Sequence, residues 1–144
     1  VLVGTFAYTT TAASESFTEF AVLTEDESGE LTADGYPEAM TRGETVSLYL
    51  EIRNREQRDV TYTVVVQLQQ LDPDGAAQGP VREVTQFELG VSDGETERRR
   101  HAFSPEVTGE GYRLTYLLYL GAPPETPSPS NAYRRTHIWT DISA

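Results

Sequence analysis

The sequence predicts an all-β domain, an antiparallel sandwich of about seven strands, and three observations predict it. From Phe17 onward the apolar residues recur with a period of two, the signature of half-buried strands. Turn sequences interrupt that alternation at regular intervals, as they do in immunoglobulin-like sandwiches. No stretch of helix length carries a 3.6-residue period in competition with it.

The elements follow in order. FTEFAVL (Phe17 to Leu23) forms the first strand and ends in the acidic turn Glu25-Asp26-Glu27-Ser28-Gly29. The segment from Leu31 to Gly43 holds Asp34-Gly35 and Tyr36-Pro37, which are turn or sheet-edge signals. TVSLYLEIRN places Val46, Leu48, Leu50 and Ile52 on one face and Ser47, Tyr49, Glu51 and Arg53 on the other. After the polar turn from Asn54 to Asp59 comes VTYTVVVQLQQL (Val60 to Leu71), which the turn sequence Asp72-Pro73-Asp74-Gly75 stops. VREVTQFEL (Val81 to Leu89) and ETERRRHAF (Glu95 to Phe103) flank the turn Ser92-Asp93-Gly94. GYRLTYLLYL (Gly111 to Leu120), a proline-rich loop (Ala122 to Asn131) and AYRRTHIWTDI complete the set. Tyr112, entering the penultimate strand after Gly109-Glu110-Gly111, stands where such sandwiches place a tyrosine corner.

With 144 residues the chain has the length of one domain and can bury a core without staples. It has no cysteine, so disulfides and thiolate metal sites are excluded. Its formal charge is -12, and every one of its 11 basic residues is arginine. A carboxylate-rich surface without lysine suits a protein that works in molar salt. There the Debye length is about 3 Å and self-repulsion is screened. Composition therefore points to a salt-adapted organism. The same charge argues against nucleic acid, whose phosphates need a basic footprint. In the run Arg98-Arg99-Arg100, alternation sends neighbours to opposite faces of a solvated strand, with Glu95 and Glu97 as the expected ion partners.

Residues Val1 to Tyr8 are apolar but far short of the roughly 20 residues that span a bilayer. They read equally as a first edge strand or as the tail of a longer apolar run. The expected organisation is residues 1–16 as an N-terminal segment and 17–144 as the sandwich.

Catalytic signatures are missing: there is no nucleophile elbow, phosphate loop or glycine fingerprint. The chain reads as a non-enzyme with no cofactor and no metal. His101 and His137 lie on different strands without a cysteine partner. Asp72-x-Asp74-Gly75 opens like a calcium loop, yet Ala76 and Ala77 stand where oxygen donors belong, so it is a turn. Glu25, Asp26 and Glu27 read as a solvated acidic loop.

If Leu114, Tyr116 and Leu118 face the core, Leu117 and Tyr119 face outward. In the last strand either Ile138 and Ile142 fill the core, or His137 and Trp139 do; a core tryptophan is the plainer of the two. In the other frame Tyr119, Tyr133, His137 and Trp139 form an exposed aromatic strip, the candidate binding surface.

A series of motifs gives a family resemblance. It runs FTEF-x-x-L-x-E-D (Phe17 to Asp26), GYP (Gly35 to Pro37) and G-x-x-V-x-L-x-L-x-I-x-N (Gly43 to Asn54). VTYTVVVQL (Val60 to Leu68), GYRLTYLLY (Gly111 to Tyr119) and YRRTHIW (Tyr133 to Trp139) continue it. From about Phe17 to Ile142 the chain resembles the haloarchaeal branch of the archaeal membrane-protein family "domain of unknown function 1616". The resemblance implies transmembrane helices before FTEF, Val1 to Tyr8 as the tail of the last one, and a sandwich on the extracytoplasmic face of the cell membrane. It brings no activity. Members often carry a glycosylation sequon; here Asn54 precedes Arg-Glu and Asn131 precedes Ala-Tyr, so none is present. The expected partners are a protein or an envelope polysaccharide, or further copies in a cell-surface assembly.

An up-and-down count through seven strands puts the loops Asn54–Asp59, Gly90–Gly94 and Gly121–Asn131 at the end where the first strand starts. Glu25–Gly43, Asp72–Gly79 and Ser104–Gly111 fall at the other. If an anchor precedes the first strand, the first group faces the membrane.

Overall fold

The computed structural model describes residues 16–144, so the expectations for Val1 to Tyr8 lie outside the described residues. Among the described residues nine strands form: β1 (Phe17–Glu25), β2 (Leu31–Thr32), β3 (Ala39–Thr41), β4 (Val46–Arg55), β5 (Val60–Gln70), β6 (Arg82–Val91), β7 (Thr96–Phe103), β8 (Gly109–Leu120) and β9 (Arg134–Ser143). They build two sheets, in the orders β2-β1-β4-β7 and β3-β9-β8-β5-β6. The architecture is an immunoglobulin-like β-sandwich.

All seven long strands form where the alternation puts them, with ends shifted by at most two residues. The segment from Leu31 to Gly43 yields the two short additions. β2 turns back on β1, and β3 crosses to the second sheet and pairs parallel to β9 through Ala39↔Asp141 and Met40↔Ile142. The sandwich is thus not wholly antiparallel. β3 runs in the same direction as β9 and covers the last part of an otherwise free edge.

The core lies between the sheets. β4 supplies Leu48, Leu50 and Ile52, β5 supplies Tyr62, Val64 and Val66, and β8 supplies Leu114, Tyr116 and Leu118, all buried. Tyr112 closes its corner, the hydroxyl donating to the Thr108 carbonyl at 3.2 Å. β5 and β8 are also buried on their outer faces, where Val65, Leu117 and Tyr119 pack with Ala132 in a small second cluster. The cause is the proline-rich loop, which folds back over the sheet and accepts a hydrogen bond from Gln67 Nε2 at the Pro127 carbonyl (2.9 Å).

The loops group as the strand count requires. Phe17 pairs with Arg55, Asp93 N donates to Asp59, and Arg134 Nε donates to the Thr18 carbonyl. The start of β1 and the base of the proline-rich loop therefore share one end. A buried polar network fills that end. Glu56 Oε2 accepts from Thr18 Oγ1 at 2.7 Å and from the Tyr133 hydroxyl at 2.6 Å, and Thr18 in turn meets the Tyr62 hydroxyl.

The arginine run alternates faces as expected, but its partners differ. Arg98 pairs with Glu51 at 2.7 Å and Arg100 Nη2 donates to Ser47 Oγ, both on β4. Glu95 and Glu97 do not pair with it, because residues two apart on a strand share a face yet sit farther apart than cross-strand neighbours.

Candidate functional site

Trp139 stands outside. Its side chain is 48% exposed, while Ile138 and Ile142 are buried, which overturns the reading of Trp139 as core filler. The register decides it: Ile138 lies opposite the inward Leu114, so Trp139 lies opposite the outward Arg113.

The four-residue strip shortens to two. Tyr119 does face the outer side of its sheet but is only 5% exposed beneath the proline-rich loop. Its hydroxyl donates to Asn131 Oδ1 at 2.6 Å and accepts from the Ser128 amide. Tyr133 is half-buried and its hydroxyl is committed to Glu56. His137 and Trp139 remain exposed, their rings perpendicular with centroids 5.9 Å apart. Only the length of the proline-rich loop hinted that something must cover part of this face.

The Trp139 ring separates two clefts. One, of about 730 Å³, is lined by Asp72, Asp74, Gln78, Glu110 and Asp141. The other, of about 460 Å³, is lined by Asp34, Tyr36, Glu38 and His137. Asp141 is held in place by the Gly111 amide at 2.9 Å, a contact absent from the sequence reading. Asp72 Oδ1 accepts from the amides of Asp74 and Ala76, which fixes the turn that sequence predicted there. The Arg113 guanidinium lies 6.0 Å from the Trp139 ring, and its Nε is a buried donor without a partner. Burial, and then the charges of Arg113 and Arg135, push the His137 imidazole below its ordinary value, so the neutral ring is favoured at pH 7. The surface offers one aromatic face, a guanidinium and acceptor-rich walls. That combination stacks on a flat ligand and bonds its hydroxyls or amides.

The two histidines do not converge. His101 lies on the inner face of β7, 5% exposed, in the sheet that does not contain β9. Burial pushes its imidazole below the ordinary 6.5. The sign follows from linkage. Above that value both states are neutral and stability is full; below it the unfolded chain takes up a proton the folded chain resists, and stability falls. Thermal melts at fixed salt should show Tm declining as pH drops from neutrality to about 5, and His101→Phe should flatten that decline. An unchanged pH profile in the variant would remove His101 as its cause.

Comparison with known proteins gives a family and a fold. The sequence profile of the family described as "Domain of unknown function (DUF1616)" matches residues 11–141. No curated protein matches the sequence. The β-glucosidase from Listeria innocua in complex with glucose is similar over 90% of this chain, with a TM-score of 0.55 and 11% identity; the match covers 17% of the β-glucosidase chain. The CARDB domain of the PF1109 protein from Pyrococcus furiosus, in complex with di-metal ions, is similar over 90% of this chain and 97% of its own, with a TM-score of 0.54 and 10% identity. Its solution structure gives a TM-score of 0.52 at 11% identity. At such identities the likeness is one of fold.

Proposed function

We propose, on the premise that this chain belongs to the family described as "Domain of unknown function (DUF1616)", that it is a non-enzymatic interaction domain held at the extracytoplasmic face of a cell membrane. The observation that carries the interaction reading is Trp139: a half-exposed tryptophan between two clefts, on a face that the protein's own loop covers only in part. The charge distribution supports the orientation. The loops 25–43, 72–79 and 104–111, at the end away from the start of β1, carry ten carboxylates and one arginine. The loops 54–59, 90–94 and 121–131 carry four and two. An anchor preceding β1 would hold the less acidic end toward anionic headgroups and present the acidic end outward.

The experiment uses Trp139 as its own reporter, since it is the single tryptophan. Its emission is followed while a neutral glucan, an acidic polysaccharide and purified envelope protein are added in turn. A saturable shift with one of them, with the binding heat of that ligand in isothermal titration lost in Trp139→Ala without loss of Tm, is the expected result. Shifts absent with all three would remove this surface as the contact. A sugar-binding module is the second reading, favoured by the exposed ring flanked with carboxylates. Edge-to-edge assembly is less favoured, because the edge strand β7 carries the exposed charges Glu97, Arg98 and Arg100 on its two faces.

Salt adaptation belongs to the same proposal. Ion pairs among the described residues join Glu19 to Arg53 and Arg55, and Glu51 to Arg98, leaving most of the carboxylates to hydration and salt. Circular dichroism should show the strand signal lost at low salt and restored in molar chloride. A fold indifferent to salt contradicts this part of the proposal.

A further inference from the structure

The clefts of the described surface differ in charge. The one beside His101, between β6 and β7, sets Arg82 and Arg99 against Glu83 and Glu106, while Arg100 turns its guanidinium away to Ser47. Those charges cancel. The two clefts that meet at Trp139 are one-sided. Asp72, Asp74, Glu110 and Asp141 line the larger, Asp34 and Glu38 line the smaller, and no arginine lines either.

Chain order explains the crowding. Asp72 and Asp74 come from the turn after β5, Glu110 from the start of β8, Asp141 from the end of β9, and Asp34 and Glu38 from the segment between β2 and β3. The carboxylates are not all spent inside the protein: those of Glu38, Asp74 and Glu110 make no hydrogen bond or ion pair among the described residues. Nor, among the described residues, do any three acidic groups converge closely enough to hold a metal ion. The negative charge is spread around an aromatic ring, which suits an extended organic cation better than a compact one. Arg113 holds its guanidinium over that ring at 6.0 Å, the outer reach of a cation–π contact, and Arg113 and Arg135 are the basic groups that face His137. Six carboxylates stand against these two.

We propose, resting on the reading of Trp139 as the contact surface, that its occupant is an extended arginine-bearing segment of a partner protein. One guanidinium stacks on the Trp139 ring and bonds the carboxylates of the larger cleft. A second, two residues along, enters the smaller one, since alternate side chains of an extended chain share a face about 7 Å apart. A guanidinium suits the site better than other cations. It is flat, so it stacks on indole, and its fork of N–H groups pairs with carboxylate oxygens. A quaternary ammonium has no N–H to offer, and an anionic polymer is repelled.

The test is a titration followed by backbone amide NMR shifts in molar sodium chloride. The probes are the end-blocked peptide Gly-Arg-Gly-Arg-Gly and its lysine and glutamine counterparts. The arginine peptide should give saturable shifts at 72–78 and 137–141; the lysine peptide should bind roughly fivefold more weakly, and the glutamine peptide not at all. Trp139→Ala, and separately the pair Asp74→Asn with Glu110→Gln, should each weaken the arginine peptide by roughly tenfold. The pair Glu83→Gln with Glu97→Gln removes the same charge from the opposite edge and should leave binding unchanged. Equal weakening by that second pair would reduce the effect to overall charge and overturn the proposal. Equal binding of the lysine or glutamine peptide, or shifts centred elsewhere, would overturn it too. A neutral glucan that shifts these amides while the arginine peptide does not would leave Trp139 as the contact surface and overturn its cationic occupant. Silence with every probe removes both.

Discussion

Gly111→Ala is expected to cost on the order of 3 kcal/mol of unfolding free energy, most of it from backbone strain and a steric clash. Gly111 has φ of +73°, a conformation side chains resist, and a Cβ there would come within 2.7 Å of the Leu71 carbonyl oxygen. That oxygen belongs to backbone, so it cannot swing aside as a flexible side chain would. Three further contacts depend on the same turn. Leu71 N donates to the Gly111 carbonyl, Gly111 N donates to Asp141, and the Tyr112 corner closes immediately after. Chemical denaturation of the variant in molar salt measures the effect. A loss below about 0.5 kcal/mol, the range of an inert surface substitution, would show that the turn relaxes freely.

Asn54→Ala should be of similar size, also on the order of 3 kcal/mol, for a different reason. Asn54 has no exposed surface, and its side chain ties three segments together. Nδ2 donates to the Arg58 carbonyl at 2.8 Å and to the Val91 carbonyl at 2.9 Å, and Oδ1 accepts from the Glu56 amide at 2.8 Å. Alanine leaves two carbonyls and one amide without those bonds in or near the interior, and each buried orphan costs about 1–3 kcal/mol. The loss should spread to Glu56, whose carboxylate anchors Thr18 and Tyr133. Hydrogen exchange at the amides of β1 and β9 near that end should accelerate in the variant. Unchanged protection there would mean that the network around Glu56 stands without Asn54.

Alternation made the seven strands and the inner face of β4 legible, because period two reports a half-buried strand locally. The tyrosine corner was legible for the same reason: its hydrogen bond spans only four residues, from Tyr112 to Thr108. The aromatic strip was not. Whether Tyr119 sees water depends on where a loop lands, and the Gln67–Pro127 contact that pins the loop bridges 60 positions. The frame of β9 was equally ambiguous, since Ile138 and Trp139 both satisfy an alternating pattern until Leu114 is known to lie opposite one of them. Pairing of Arg98 with Glu51 joins residues 47 apart, beyond any local reading of charge order. The cleft beside His101 needs both sheets in place before it exists at all.

The placement of β3 against β9 also bears on how the domain carries a mechanical load. β1 starts at one end of the sandwich and β9 finishes at the other. A pull between Phe17 and Ser143 therefore runs along the strands. Because β3 and β9 are parallel, that tension slides one past the other. The bonds of the patch, including Asp141 N to the Glu38 carbonyl and Arg42 N to the Ser143 carbonyl, must then break together. The seven pairs joining β1 to β4 are loaded the same way. A domain tethered at one end and tugged at the other would resist as a shear joint rather than peel open like a zip.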